Sequence, residues 1–302
     1  MLLIRRKGWG VKGKLPLSRG RPDNSIIPGV ATYRLTVEYD GTRFHGWQEQ
    51  QNARSIAGEI KRAIRELAPL VEFGGAGRTD AGVHALAQCA HLRLGRSVEP
   101  ERFRGELNEL LPSDIHVLSL VPVGNSFHAR HSAVSRSYLY QISRRRTAFA
   151  KRFVWWVKRP LRTDLMASAA SLLPGRHDFA LFSERPQDQP STEVVLESAQ
   201  VEDFGSLVVI RLVASHFLWK MARRIVGVLV RIGAGEMSAA ELKKLLEPSN
   251  PDAVLAGRPA EWTAPPSGLF LERIAYEGDP PLPPLRPAVP VEEEAEAGRR
   301  TP

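Results

Sequence analysis

From Ala31 the chain alternates. Tyr33, Leu35, Val37 and Tyr39 fall on one side, and Arg34, Thr36 and Glu38 on the other, which is the period of a half-buried strand. Asp40-Gly41 supplies a turn after it. The period then changes. Ile56, Ile60, Ile64 and Leu67 form one stripe behind Ser55, with Pro69 as terminator, and this predicts a capped helix. A glycine-rich loop separates it from a strand over 88–94. Pro100 opens a second helix that turns Phe103, Leu107 and Leu110 inward. Strands are expected over 115–123 and 136–143.

The second half repeats the theme. Asp164 caps a short helix to about Leu173, and 201–214 folds as a hairpin around Gly205. A helix over 217–232 puts Leu218, Met221, Ile225, Leu229 and Ile232 on one face and stops at Gly233. Ser238 and Glu241 have the spacing of a capping box, and 269–276 reads as a closing strand. Strands followed by helices in both halves predict an α+β fold, with two similar α/β lobes, antiparallel-rich sheets and a central cleft. The expected divisions are a basic disordered leader over 1–30, a first lobe over 31–135, a second over 136–278, and a Pro/Glu-rich disordered tail over 279–302.

Composition changes this picture in three places. At 302 residues and 43% hydrophobic, the chain is large enough to bury a real core. The formal charge of +9 is uneven, because residues 1–22 hold seven Lys and Arg and no acid. Between Ile115 and Thr163 there is no Asp or Glu, yet Arg130, Arg136, Arg144, Arg145, Arg146, Lys151, Arg152, Lys158, Arg159 and Arg162 are interleaved with Tyr138, Tyr140, Trp155 and Trp156. Such a run is either a solvated face or a surface for phosphates and exposed bases. Cys89 is the only cysteine, so an intrachain disulfide and a Cys-based zinc site are excluded. No histidine spacing of the metalloprotease kind occurs, and no apolar run has the length of a membrane span. The expectation is a cytoplasmic protein without a bound metal.

The candidate chemistry lies in Gly74-Gly75-Ala76-Gly77-Arg78-Thr79-Asp80-Ala81-Gly82-Val83-His84-Ala85. One carboxylate among small residues lets a bulky partner press against the backbone. The same residues also suit a plain turn in which Asp80 accepts from nearby amides. The loop lacks the Gly-x-x-x-x-Gly-Lys-Ser/Thr order of a phosphate cradle, and its carboxylate would repel phosphate.

Several segments, in order, resemble one family. Tyr39-Asp40-Gly41-Thr42, Phe44, Gly46-Trp47-Gln48 and Gln50 are similar to the opening of the bacterial tRNA pseudouridine synthase A (TruA) family. Gly77–Ala85 resembles its catalytic loop. Asn108, Leu111-Pro112, Asp114-Ile115, Phe127-His128-Ala129-Arg130, Met221, Arg223, Ile225-Val226-Gly227 and Gly268-Leu269-Phe270-Leu271 follow in order. The resemblance implies the pseudouridine synthase fold and isomerisation of uridine to pseudouridine at positions 38, 39 and 40 of the tRNA anticodon stem-loop. It implies a homodimer, without metal or organic cofactor. Residue by residue, it implies Asp80 as the catalytic carboxylate and Arg223 as its partner. Tyr138 would lie against the target base, Leu269 in the pocket wall, Arg78 at the extruded nucleotide and Arg130 on the RNA.

Periodicity alone leaves two of these open. Arg223 lies opposite the apolar stripe of its helix, facing a cleft or solvent, and Tyr138 alternates with Tyr140 and Ile142 as a core strand residue does. A nearby cation favours the charged form of a carboxylate, and a pair held in a dry pocket would do so most strongly. The chain departs from the family at Glu193-Val194, where a basic residue is common, and at Ala57 and His131.

Overall fold

The computed structural model describes residues 29–184, 191–249 and 252–292. The leader up to residue 28 and the last ten residues of the tail lie outside the described residues. In chain order the main elements are β1 (Ala31–Tyr39), α1 (Ile56–Leu67), β2 (Leu70–Gly75), β3 (His84–Leu94), α2 (Pro100–Leu110), β4 (Ile115–Pro122) and β5 (Ala133–Ser143). Then come β6 (Trp155–Trp156), α3 (Thr163–Ala170), β7 (Gly175–Asp178), β8 (Glu193–Phe204), β9 (Leu207–Ala214), α4 (Met221–Gly233), α5 (Ala239–Leu245) and β10 (Leu269–Tyr276).

The fold is α+β with an antiparallel-rich sheet. The strands of both halves join in the order β4-β1-β3-β10-β5-β9-β8-β7, with β2 on β3 and β6 on β5. The last strand is the join. β10 runs parallel to β3, pairing Phe270 with His84 and Leu271 with Ala85, and antiparallel to β5. The two expected lobes are therefore two packed cores on one continuous sheet. The first gathers Tyr33, Leu35, Val37, Ile60, Ile64 and Leu107; the second gathers Phe179, Ile210, Leu212, Ile225 and Leu229. Alternation turns Phe270 to the other face of β10, while Leu269 and Leu271 share one face and join the second and the first core respectively. Tyr138, opposite Leu271 on β5, packs against both. The seam between the cores thus runs over β10 and β5.

Local signals explain most elements. Ser55 caps α1 by accepting from the Gly58 amide, and Ser238 with Glu241 forms the capping box of α5. Some expectations are corrected. Leu110 is 40% exposed, so α2 buries Phe103 and Leu107 only. Arg162 occupies the cap position of α3, and Asp164 in its first turn pairs with that arginine at 2.7 Å instead of capping. The helix expected from Phe217 begins at Met221.

The tail is the largest correction. Residues 279–292 are not a loose end: they cross the sheet face opposite the helices, where Leu285 is buried with Leu139, Val209 and Phe270. Few apolar side chains are needed, because backbone groups supply the hold. The Pro283 carbonyl accepts from Arg211, and the Glu292 carbonyl from Arg145 and Ser206. Among the described residues no helix is long and apolar enough to cross a membrane.

Candidate active site

The Asp80 loop is fixed from below by buried polar groups. Ala76 N–H donates to the Cys89 carbonyl at 2.8 Å, and Gln88 Nε2 to the Gly77 carbonyl at 3.1 Å. The buried Thr79 hydroxyl bonds to Tyr39 Oη at 2.8 Å, and its carbonyl accepts from Trp47 N–H at 3.0 Å. Burial pushes the Tyr39 hydroxyl pKa far up, so it stays protonated. Two glycines from the opening motif make room. A Cβ at Gly46, whose φ is +89°, would sit 2.5 Å from the Thr79 carbonyl oxygen. One at Gly41 would sit 1.9 Å from that of Val83. Gly77, in contrast, has open space above it.

His84 closes the loop as architecture. Its Nδ1 accepts from Gly41 N–H at 3.1 Å, and its Nε2 faces the Arg152 carbonyl at 2.9 Å. The ring stacks on Phe270. Burial lowers its pKa while the charge of Asp40 opposes that. A neutral ring, donating from Nε2, satisfies both bonds.

Thus anchored, Asp80 points to α4 and the turn before it. Arg223 Nη1 approaches Asp80 Oδ2 at 3.5 Å, and Trp219 Nε1–H donates to Oδ1 at 3.1 Å. Arg223 is itself held, because its Nε donates to the Ala264 carbonyl at 2.7 Å. The side chains are 28% exposed for Asp80 and 14% for Arg223. The open choice for Arg223 resolves toward Asp80 and away from solvent. The pair is mostly buried but not closed off from solvent.

Tyr138 is half-buried at the seam, with the Phe217 ring edge-on at 4.8 Å. Its hydroxyl pKa is pushed up chiefly by burial, with the Asp80 charge adding to the effect. The phenol is therefore neutral, and among the described residues its hydroxyl has no hydrogen-bond partner. Leu269 is buried beside Tyr140 on the same sheet face. Arg78 is exposed, with no ion pair among the described residues. The Arg130 side chain is also exposed, while its carbonyl accepts from Arg136 Nη2 at 2.8 Å.

Much of the basic run serves the fold. Arg144 pairs with Asp203, Arg152 with Asp40, Arg159 with Glu236 and Arg162 with Asp164. Arg136 spans β5 to the Asp80 loop, reaching the Ser215 carbonyl at 2.8 Å and that of Ala76 at 3.5 Å. Glu193 faces Arg176 across the β7–β8 edge at 3.7 Å.

Among the described residues, Glu72, His91 and His128 have ligand atoms within 4.8 Å of one another. The tautomers oppose a cation there. His91 Nδ1 accepts from Ala129 N–H, and His128 Nδ1 from Arg130 and His131 N–H. Each Nε2 therefore carries the proton, and His91 faces Glu72 Oε1 with it at 3.1 Å.

Trp219 and Phe217 are the site residues that periodicity missed. A helix begun at Phe217 would set Trp219 and Arg223 on one side, but α4 begins at Met221, so helical spacing does not carry this contact.

A carboxylate held between an arginine and an indole, at the seam where a neutral tyrosine packs, makes a carboxylate-centred candidate site. Comparison with known proteins supplies the family. Residues 35–132 and 169–277 match the tRNA pseudouridine synthase family. The chain is 42% identical over 257 residues to the tRNA pseudouridine synthase A of Nitrobacter winogradskyi, covering 83% of this chain and 97% of that one. It is 39% identical to that of Maricaulis maris over 82% and 98% of the two chains, and 37% identical to that of Agrobacterium fabrum over 87% and 99%. The chain belongs to the tRNA pseudouridine synthase family, a family of isomerases.

Proposed function

We propose that the protein converts uridine to pseudouridine at positions 38, 39 and 40 of the tRNA anticodon stem-loop. The observation that carries this reading is the Asp80 carboxylate, gripped by Arg223 and Trp219 within reach of Tyr138. The C1′–N1 bond of the nucleotide breaks, the uracil turns within the pocket, and a C1′–C5 bond forms. N1 gains a proton and C5 loses one, so no external group is consumed. Asp80 acts in its ionised form, by attack at C1′ or by removing the C2′ proton. Arg223 pairs with it.

Tyr138 lies against the uracil, and its neutral hydroxyl is free for a hydrogen bond to the base. Leu269 supplies an apolar wall. Arg78 takes part in extruding the nucleotide, whose unstacking costs a few kcal/mol, and Arg130 contacts the RNA backbone. The protein acts as a cytoplasmic homodimer that grips one tRNA, as the family resemblance implies.

The test is an unmodified tRNA transcript with uridine at 38, 39 and 40, incubated with purified protein and mapped at single-nucleotide resolution. Pseudouridine is expected at those positions and absent when all three are cytidine. Modification confined to other positions, or none, overturns the proposal. Tyr138→Phe is expected to keep turnover within about tenfold, whereas Tyr138→Ala loses more, because base stacking is worth about 1–3 kcal/mol. Single-turnover rates for the two variants check this; equal losses would assign the effect to the hydroxyl.

A further inference from the structure

We infer that Trp219 is a positioning residue for the Asp80 carboxylate, its indole N–H holding Oδ1 while Arg223 holds Oδ2. The inference rests on the reading of Asp80 as the reacting group and extends it to a residue outside the motifs that carry the resemblance.

Three observations support it. The contact is direct, with Nε1 at 3.1 Å from Oδ1, closer than the 3.5 Å to the arginine. It is also built. Lys220, the next residue, adopts φ 61°, the one non-glycine positive φ among the described residues, a conformation uncommon for a side chain of its kind. That kink ends the turn and starts α4, and around it Phe217 meets Tyr138, Trp219 meets Asp80, and Arg223, in the first turn of α4, reaches the same carboxylate. Finally, the kink is tied down. Lys220 Nζ bonds Glu184 at 2.9 Å, Arg224 bonds the same carboxylate at 2.7 Å, and the buried Leu218 packs beneath.

Trp219 remains 46% exposed, with Lys220 Nζ 4.4 Å from its ring. Burial alone therefore does not account for an indole here. An N–H donor on one carboxylate oxygen fixes the side-chain rotamer and leaves lone pairs on both oxygens for the ribose.

The experiment has two arms. In two-dimensional NMR of the ¹⁵N-labelled full chain, Trp219→Phe identifies the Trp219 indole resonance by its loss, and Asp80→Ala should move that resonance while leaving the other indoles in place. This arm reads the contact whether or not the protein acts on tRNA. In the second arm, Trp219→Phe should lower kcat about tenfold with KM within twofold. The charged or titratable groups facing Asp80, Arg223 and Tyr138, are unchanged in this variant, and Lys220 stays tied to Glu184. Trp219→Leu, with matched thermal stability as the folding check, should behave as Trp219→Phe does. An indole resonance indifferent to Asp80→Ala overturns the proposal, as does wild-type kcat in Trp219→Phe. Wild-type turnover in Asp80→Ala would instead overturn the role of Asp80 itself.

Discussion

Replacing Asp80 with alanine is expected to stop pseudouridine formation, with a loss on the order of 10⁴-fold in single-turnover rate, while tRNA binding is retained. Binding should persist because affinity for RNA comes from cations meeting phosphates, and removing a carboxylate subtracts none. Stability should hardly change. The partly exposed Asp80–Arg223 pair, at 3.5 Å, falls in the class worth about 0–1 kcal/mol, and Arg223 keeps its bond to the Ala264 carbonyl. Asp80→Asn, of nearly the same shape, should be equally inactive. Filter binding and single-turnover assays on the same preparations separate the two quantities. Turnover within tenfold of wild type would remove Asp80 from the chemistry, and a large loss of affinity would make the loop a binding element instead.

That loop was legible in the sequence for a physical reason. A carboxylate between glycines forms a local signal, and neighbouring residues carry it. Ser55, Ser238 with Glu241, and the alternation of β1 were legible in the same way, since caps and period-two patterns depend on adjacent positions. Contacts set by distant chain were not. Nothing near Leu269 says that β10 inserts between β3 and β5, because that register depends on His84, Ala85, Tyr138 and Tyr140. The helix expected from Phe217 begins four residues late because Lys220 is held in a left-handed conformation by tertiary ties to Glu184. The basic run reads as one surface, yet Asp40, Asp203 and Glu236, all from outside it, neutralise several of its arginines. Its length told of charge and not of which charges are free.

The tail failed the sequence reading through its composition, and Gln141 explains how so few apolar residues suffice. This glutamine, fully buried in β5, accepts from Ala288 and Val289 N–H at 2.5 and 3.0 Å. Its Nε2 donates to the Phe153 and Val289 carbonyls at 3.1 and 3.3 Å. Gln141→Leu therefore leaves four backbone groups without a partner, and a buried group so stranded costs about 1–3 kcal/mol. Because the strap can peel away and let water reach these groups, the expected net loss is about 2–4 kcal/mol, seen as a lower urea midpoint with unchanged slope. Truncation after Gly278 should cost a similar amount, since it uncovers Leu139, Val209 and Phe270 but releases the ordering entropy of the strap. The two changes share one interface, so their costs should not add. In the truncated protein Gln141→Leu should cost less than about 1 kcal/mol. Additive losses would show that Gln141 stabilises the sheet independently of the strap. Turnover in the folded variants should stay within about twofold, because alternation along β5 turns Gln141 and Leu139 to the strap and Tyr138 and Tyr140 to the opposite face, where Asp80 and Arg223 meet.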